Sequence, residues 1–169
     1  TSEVGQLSRA RAVVQAPMAL FGTATAQVFL AKAPAAARED RLREFTVGTL
    51  RGLASTGGPV LLLLGILAPF VFPLLFGHRW ERAGMLVAWM TPWLLLQFLA
   101  SPVSSVLSVT GQLRVAMLLQ LAGLALRLAA VWIGARVFAG VANEAYAVSG
   151  AVFYGAYLLV ILVMTRQTR

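Results

Sequence analysis

A single arginine, Arg127, lies in the middle of an apolar run that extends from residue 118 to residue 135. A guanidinium keeps its proton in proteins, so Arg127 cannot become neutral to avoid the cost of burial. The sequence therefore predicts a partner for it. One alternative is another helix, through Gln97 or the carbonyls freed before Pro92 and Pro102. The other is the phosphate of a substrate, which a guanidinium can bind with two parallel hydrogen bonds.

Small and polar residues recur at helical spacing in two apolar runs. The first set is Gln15, Ala19, Gly22, Thr23 and Ala26, with Gln27 at its edge, and the second is Gln120, Gly123, Arg127, Ala130 and Gly134. Such stripes face other helices or a water-filled cavity rather than lipid. Gln15, Thr23, Gln27, Gln120 and Arg127 are therefore candidate residues of a substrate cavity. Helix packing alone is the alternative for the Gln and Thr side chains.

Side chains that catalyse reactions or bind metals are scarce. The chain has one histidine, His78, no cysteine and six acidic residues. A zinc site would have to draw its ligands from those few acids. No Gly-x-x-x-x-Gly-Lys-Ser/Thr loop for nucleotide phosphates occurs. We expect no catalytic residue, no metal and no cofactor, and hence a protein that is not an enzyme.

The composition indicates that these residues are positioned by helices in a membrane. Hydrophobic residues make up 59% of the chain and charged residues only 12%, with a mean hydropathy of +0.80, whereas soluble domains are about 25% charged. Five apolar runs come close to the about 20 residues that a spanning helix needs. They cover residues 12–31, 53–76, 83–107, 115–135 and 145–165. We therefore predict an all-α integral membrane fold, with a cytoplasmic connecting segment over 32–52. The charged core of this segment is predicted to form an interfacial or cytoplasmic helical extension that leads into the second span.

The basic residues predict the orientation of these spans. Eight lie on one side, namely Lys32, Arg38, Arg41, Arg43, Arg51, Arg114, Arg166 and Arg169, against Arg9, Arg11, Arg79, Arg82 and Arg136 on the other. Because basic residues near span ends prefer the cytoplasm, the C-terminus is predicted to be cytoplasmic. The formal net charge of +8 is spread over helix ends, which indicates membrane lipids rather than nucleic acid as partners.

Proline and glycine mark possible bends in the spans. Proline lacks a backbone donor and bends a helix when it lies in the interior. The candidate hinges are Gly57, Gly58, Pro59, Pro92 and Pro102. Bent spans are typical of proteins that change shape during a cycle.

Several segments together resemble a known family. They are Pro73-Leu-Leu-Phe-Gly-His-Arg-Trp-Glu-Arg-Ala-Gly84, Gln97-Phe-Leu-Ala-Ser-Pro102, Ser108-Val-Thr-Gly-Gln-Leu-Arg114, the opening Val4-Gly-Gln-Leu-Ser-Arg-Ala-Arg-Ala-Val-Val-Gln-Ala-Pro17 and Val28-Phe-Leu-Ala-Lys-Ala33. They resemble the C-terminal half of bacterial polysaccharide flippases of the Wzx-like branch. The wider superfamily of these proteins also contains multidrug exporters and the lipid II flippase.

The resemblance implies a specific function for the chain. Such flippases have two lobes of helices around a central cavity, and they move polyprenyl-pyrophosphate-linked glycans, such as O-antigen units of lipopolysaccharide, across the bacterial inner membrane by alternating access. The chain would form most of the C-terminal lobe, and the missing N-terminal lobe would be its partner. In the lipid II flippase, an arginine before the proline of the corresponding helix faces the cavity. Arg11, which precedes Pro17, is the candidate for that place.

Two other functions are alternatives. A cation-coupled exporter of drugs or metabolites from the same superfamily would be expected to use an acid inside the membrane, and only Glu144 lies at the edge of a predicted span. A membrane-embedded transferase would need an acidic, metal-binding loop at the membrane surface, and the sequence shows no suitable cluster. A non-transporting assembly subunit needs neither feature.

Overall fold

The computed structural model describes residues 24–137 and 142–167, which are almost entirely helical. Residues 24–38 form helix α1 as far as it is described. The helices that follow are α2 (Leu42–Phe76), α3 (Glu81–Val103), α4 (Val106–Val109), α5 (Leu113–Val137) and α6 (Ala142–Gln167). Within these described ranges there is no strand, so the predicted all-α fold is confirmed.

Four helical segments are long and apolar enough to cross a membrane. They are Leu42–Phe76, His78–Val109, Leu113–Gly134 and Asn143–Arg166. Each coincides with one of the predicted runs that begin at residues 53, 83, 115 and 145. Most of the remaining run, 12–31, lies outside the described residues. The chain is thus a multi-pass membrane protein.

The predicted connecting segment over 32–52 is mostly helical in the structure, and its second half is the start of α2. Helix α1 continues to residue 38 and α2 begins at Leu42, so only residues 39–41 separate them. The reason is that this charged stretch still has one apolar helical face. Leu42, Thr46 and Leu53 are buried along it, while the arginines point outward.

Of the two prolines in the third predicted span, Pro92 does not interrupt the helix, whereas Pro102 lies where the helix ends. Helix α3 runs without interruption through Pro92 and ends at Val103, directly after Pro102. The hydroxyls of Ser104 and Ser105 then donate to the carbonyls of Ser101 and Pro102 at 2.7 and 3.1 Å. These bonds satisfy acceptors that the end of a helix leaves free, and the short helix α4 follows.

The helices pack as a chain of neighbours: α2 on α3, α3 on α6, and α6 on α5. Glycine allows the closest of these approaches. A Cβ on Gly65 of α2 would overlap the side chain of Thr91 on α3, and a Cβ on Gly84 of α3 would overlap the backbone of Ala68. Small residues at such contacts are the usual means by which helices associate in membranes.

Two features identify the two ends of the helix bundle. Arg82 at the start of α3 and Glu144 at the start of α6 form a salt bridge of 3.3 Å, so both helices begin at the same end. At the opposite end, the α1–α2 turn meets the last residues of α6, where Arg43 and Arg166 line one pocket. Helices α3 and α6 are therefore parallel, and α2 is antiparallel to both.

Candidate functional site

Arg127 lies on the one face of α5 that is turned toward the rest of the protein. Gly123 and Gly134 on this face are buried, and Arg127 and Ala130 are partly buried. Residues on the opposite face, including Leu118 and Trp132, are exposed. The prediction that this stripe faces other helices or a cavity rather than lipid is confirmed for these four residues. Gln120, at the start of the stripe, is exposed.

The guanidinium of Arg127 lies close to four aromatic rings from two other helices, which we name the aromatic cage. Its carbon Cζ lies 5.4 Å from the ring centre of Trp93 on α3. The distances to the rings of Tyr146, Phe153 and Tyr154 on α6 are 6.0, 5.6 and 5.7 Å. All four distances are within the range of cation–π attraction, in which the negative face of a ring stabilises a cation.

The rings of the aromatic cage also support one another. Trp93 and Tyr146 meet edge to face with their centroids 5.1 Å apart. Phe153 and Tyr154 do the same, also at 5.1 Å. Edge-to-face pairs of this kind are favourable beyond the area they bury. The cage is therefore an ordered cluster that joins α3 to α6 and holds the cation between them.

Two glycines make room for the cage. A Cβ on Gly150 of α6 would lie 2.6 Å from atoms of the Trp93 ring, and a Cβ on Gly123 of α5 would overlap the ring of Phe153. Real Cβ atoms do not approach other atoms so closely. Gly123 and Gly150 thus have a packing role, which is to let the two rings reach the helix backbones.

No carboxylate neutralises Arg127 within the described ranges. The salt bridges there involve Arg41 and Arg82 only. The Nε atom of Arg127 is buried and has no hydrogen-bond partner among the described residues, and the same is true of the Oε1 atom of Gln97. The predicted hydrogen bonds from Arg127 to Gln97 or to carbonyls near Pro92 and Pro102 are absent from this part of the chain. The aromatic cage is the partner instead.

The other candidate cavity residues do not join Arg127 in one described site. Gln27 lies on α1 and is exposed. Gln120 lies on α5, two helical turns before Arg127. Arg11, Gln15 and Thr23 lie outside the described residues, so their place in a cavity stays a prediction.

The candidate hinge at Gly57, Gly58 and Pro59 lies within α2, which is helical throughout. Gly57 packs against the ring of Phe98 on α3 so closely that a Cβ would overlap it. Gly58 is buried and Pro59 is exposed. Close packing accounts for Gly57 without a hinge, and the hinge itself stays a prediction.

Three acidic groups of the described residues form ion pairs. Glu144, whose side chain is 17% exposed, pairs with Arg82, while Glu39 and Glu44 pair with Arg41 near the α1–α2 turn. The described residues include no group of three His, Asp or Glu side chains that could hold a metal ion.

Sequence reasoning missed the aromatic cage, although a signal for it was present. Tyr146, Gly150, Phe153, Tyr154 and Tyr157 follow a helical spacing that places them on one side of α6. The expectation for Arg127 considered only hydrogen-bond acceptors and anions as partners. An aromatic stripe on one helix and an isolated arginine on the next are the pattern that would have predicted the cage.

The fold and the site define an all-α, multi-pass membrane protein with a partly buried arginine against an aromatic cluster between its helices. Residues 1–84 match a family of polysaccharide biosynthesis proteins. The match covers α1, α2 and the first residues of α3, and it supports a role in polysaccharide biosynthesis or export. No curated protein and no solved structure matches the chain.

Proposed function

We propose that the chain is part of a flippase that moves lipid-pyrophosphate-linked oligosaccharide across the bacterial inner membrane by alternating access. The observation that carries the proposal is the match of residues 1–84 to polysaccharide biosynthesis proteins in a chain built from membrane-spanning helices. A glycan assembled on a lipid must cross the membrane before export. A bundle of spanning helices is suited to that step, and it acts as a transporter rather than an enzyme.

The exposed surface of the bundle supports a second lobe in this proposal. In the apolar stretch of α5 only 6% of residues are buried inside the protein, and in that of α2 only 17%. Large exposed apolar faces are covered either by lipid or by other helices. In a two-lobed flippase, part of this surface faces the partner lobe and part of it faces lipid.

Arg127 has a structural role in this proposal, because the rings of the aromatic cage already stabilise its charge. A phosphate-binding arginine would be expected to direct its donors into an open cavity. Here the rings of Trp93, Tyr146, Phe153 and Tyr154 approach the guanidinium from α3 and α6. The sequence left two alternatives open, a partner on another helix and a substrate phosphate. These contacts support the first, in which Arg127 is an internal clamp that holds neighbouring helices together.

A cation-coupled exporter is the less supported function. Such a protein would be expected to use an acid that gains and loses a proton or binds sodium within the membrane. Glu144, the acid at the edge of a predicted span, is paired with Arg82 at 3.3 Å. That carboxylate is therefore engaged with a cation of the protein itself.

Deletion of the gene tests the proposed function. We expect lipid-linked oligosaccharide to accumulate on the cytoplasmic leaflet and surface polysaccharide to be lost, while the enzymes that assemble the glycan stay active. Restoration of the gene should reverse both effects. Normal surface polysaccharide together with increased sensitivity to toxic compounds would contradict the flippase and favour the exporter.

A further inference from the structure

A basic pocket lies at the end of the bundle where the α1–α2 turn meets the end of α6. Its volume is about 820 Å³, which is within the usual size range of ligand sites. Its charged lining residues are Asp40, Arg41, Arg43, Glu44, Arg51 and Arg166. Four guanidinium groups therefore face two carboxylates, which gives the pocket an excess of positive charge.

Three of these arginines are available to a ligand. Arg41 is engaged with two carboxylates, since its Nη1 lies 3.7 Å from Glu39 and its Nε lies 3.4 Å from Glu44. Arg43, Arg51 and Arg166 form no salt bridge with any described residue. All three are exposed at this end of the bundle.

Helix geometry directs two of the free arginines into the pocket together. Arg43, Val47 and Arg51 are spaced four residues apart on α2, which places them along one ridge of the helix. Gly48 lines the pocket beside them, and a Cβ at this position would have no atom within 4 Å. The missing side chain leaves open space between the arginines.

The pocket lies where two candidate spanning helices end. The α1–α2 turn leads into the start of α2, and the last residues of α6 lie beside it; α2 and α6 are both long and apolar enough to cross a membrane. In a membrane, the ends of spanning helices lie at the level of the lipid headgroups. A guanidinium binds phosphate with two parallel hydrogen bonds, and basic pockets between spanning helices are known to bind phosphate-bearing headgroups.

We infer that this pocket binds the phosphate of an anionic membrane lipid through Arg43, Arg51 and Arg166. The bound lipid fastens the α1–α2 turn to the end of α6. This site is separate from the aromatic cage, which lies on other residues. It does not depend on whether the chain moves a glycan.

The test measures lipid binding by native mass spectrometry of the protein in detergent. The probes are short-chain phosphatidylglycerol, phosphatidylcholine with the same acyl chains, and inorganic phosphate. We expect phosphatidylglycerol to bind and to raise the melting temperature. Phosphatidylcholine should bind more weakly because its headgroup has no net charge, and inorganic phosphate should bind more weakly because it lacks acyl chains.

Two variants with matched controls assign the site. The double replacement Arg43→Gln and Arg51→Gln should weaken phosphatidylglycerol binding by about fivefold for each arginine. Gly48→Leu should weaken it with no change of charge, by filling the pocket. The controls are Arg114→Gln, which removes a charge from the same end of the bundle, and Gly52→Leu, which is on α2 outside this pocket and also has no atom near its Cβ. Leucine is a better helix former than glycine, so neither glycine variant should unfold α2.

Three outcomes would overturn the inference. The first is equal binding of the two lipids. The second is equal loss of binding in the pocket variants and their controls. It would mean that lipid binding depends on the total charge of the protein or on any change to the surface of α2, and not on this pocket. The third is tight binding of inorganic phosphate that phosphatidylglycerol cannot displace, which would make a soluble phosphate compound the ligand.

Discussion

The guanidinium carbon of Arg127 lies 5.4 Å from the centre of the Trp93 ring, and this contact links α5 to α3. In the described part of the chain, the backbones of these two helices make no extensive contact, whereas each of them packs against α6. The long side chain of Arg127 therefore reaches across a space that the helices do not close. Through its contact with Trp93, Arg127 links α5 to α3 directly, in addition to the packing of both helices against α6.

Removal of the ring should be more harmful than removal of the charge. Trp93→Leu leaves the guanidinium in an apolar region with part of its cage missing, and large-to-small replacement costs packing as well. We expect a loss of about 3 to 5 kcal/mol in the free energy of unfolding. Arg127→Leu should cost less, since it removes the cation–π contacts but also the burial of a charge. Thermal unfolding in detergent measures both.

The double variant provides the decisive comparison. If Arg127 and Trp93 interact, their combined effect should be smaller than the sum of the single effects by about 1 to 2 kcal/mol. Trp89→Leu on the same helix is the control, because Trp89 is 50% exposed and has no contact with Arg127 among the cation–π pairs of the described residues. Strict additivity of Trp93→Leu and Arg127→Leu would refute the clamp.

Transport distinguishes a clamp from a substrate residue. For a clamp, Arg127→Lys and Arg127→Leu lower the abundance or melting temperature, and the protein that remains folded still moves lipid-linked glycan. Lysine should retain part of the stability because it keeps the charge within the rings. A folded, abundant Arg127→Leu protein that transports nothing would instead show that Arg127 binds the substrate. If Arg127 is structural, Arg11 is the next candidate for a cavity arginine.

The contrast between the α5 stripe and the aromatic cage shows how far the sequence predicts this site. Helical spacing correctly identified the inward face that contains Gly123 and Arg127, because periodicity is a local property of one helix. The identity of the partners depends on how α3 and α6 meet α5, and no local pattern contains that information. The helical extension into the second span was likewise visible in the sequence, whereas the burial of Leu42 and Leu53 depends on contacts with residues of other helices.

Packing of α2 on α3 should depend on Gly65. Replacement by leucine inserts a side chain where Thr91 already lies, so we expect a loss of about 2 kcal/mol or more in the free energy of unfolding. Gly52→Leu is the matched control on the same helix, since no atom lies near its Cβ. Comparable melting temperatures for the two variants would contradict the close contact of these helices.

Replacement of Arg82 and replacement of Glu144, which form an ion pair, should lower the free energy of unfolding by different amounts. Arg82 is 60% exposed and Glu144 only 17%, so water can solvate the arginine more easily than the carboxylate. Glu144→Gln should cost less than about 1 kcal/mol, and Arg82→Gln should cost more. Thermal unfolding compares them. In transport assays, Glu144→Gln should retain activity; a folded variant that loses only gradient-driven transport would favour the exporter.

Labelling of single cysteines tests the orientation of the helices, and the chain offers a clean background because it has no cysteine of its own. A membrane-impermeant reagent should reach Ala35→Cys and Arg166→Cys from the cytoplasmic side and His78→Cys from the other side. These positions follow from the two ends of the bundle and from the distribution of basic residues. Labelling of Ala35→Cys and His78→Cys from the same side would be incompatible with α2 as a spanning helix.

The length of α2 makes the protein sensitive to bilayer thickness. Its 35 residues extend over about 52 Å, whereas the hydrocarbon core is about 30 Å thick and the whole bilayer about 40 to 45 Å. If α2 is parallel to the bilayer normal, its ends project beyond the headgroups. If α2 is tilted, its first turns lie at the level of the headgroups. Because α2 carries the α1–α2 turn, hydrophobic mismatch in a thinner or thicker membrane would move Arg43 and Arg51 relative to Arg166. Lipid chain length would then alter the geometry of the pocket without any change in the headgroup that it holds.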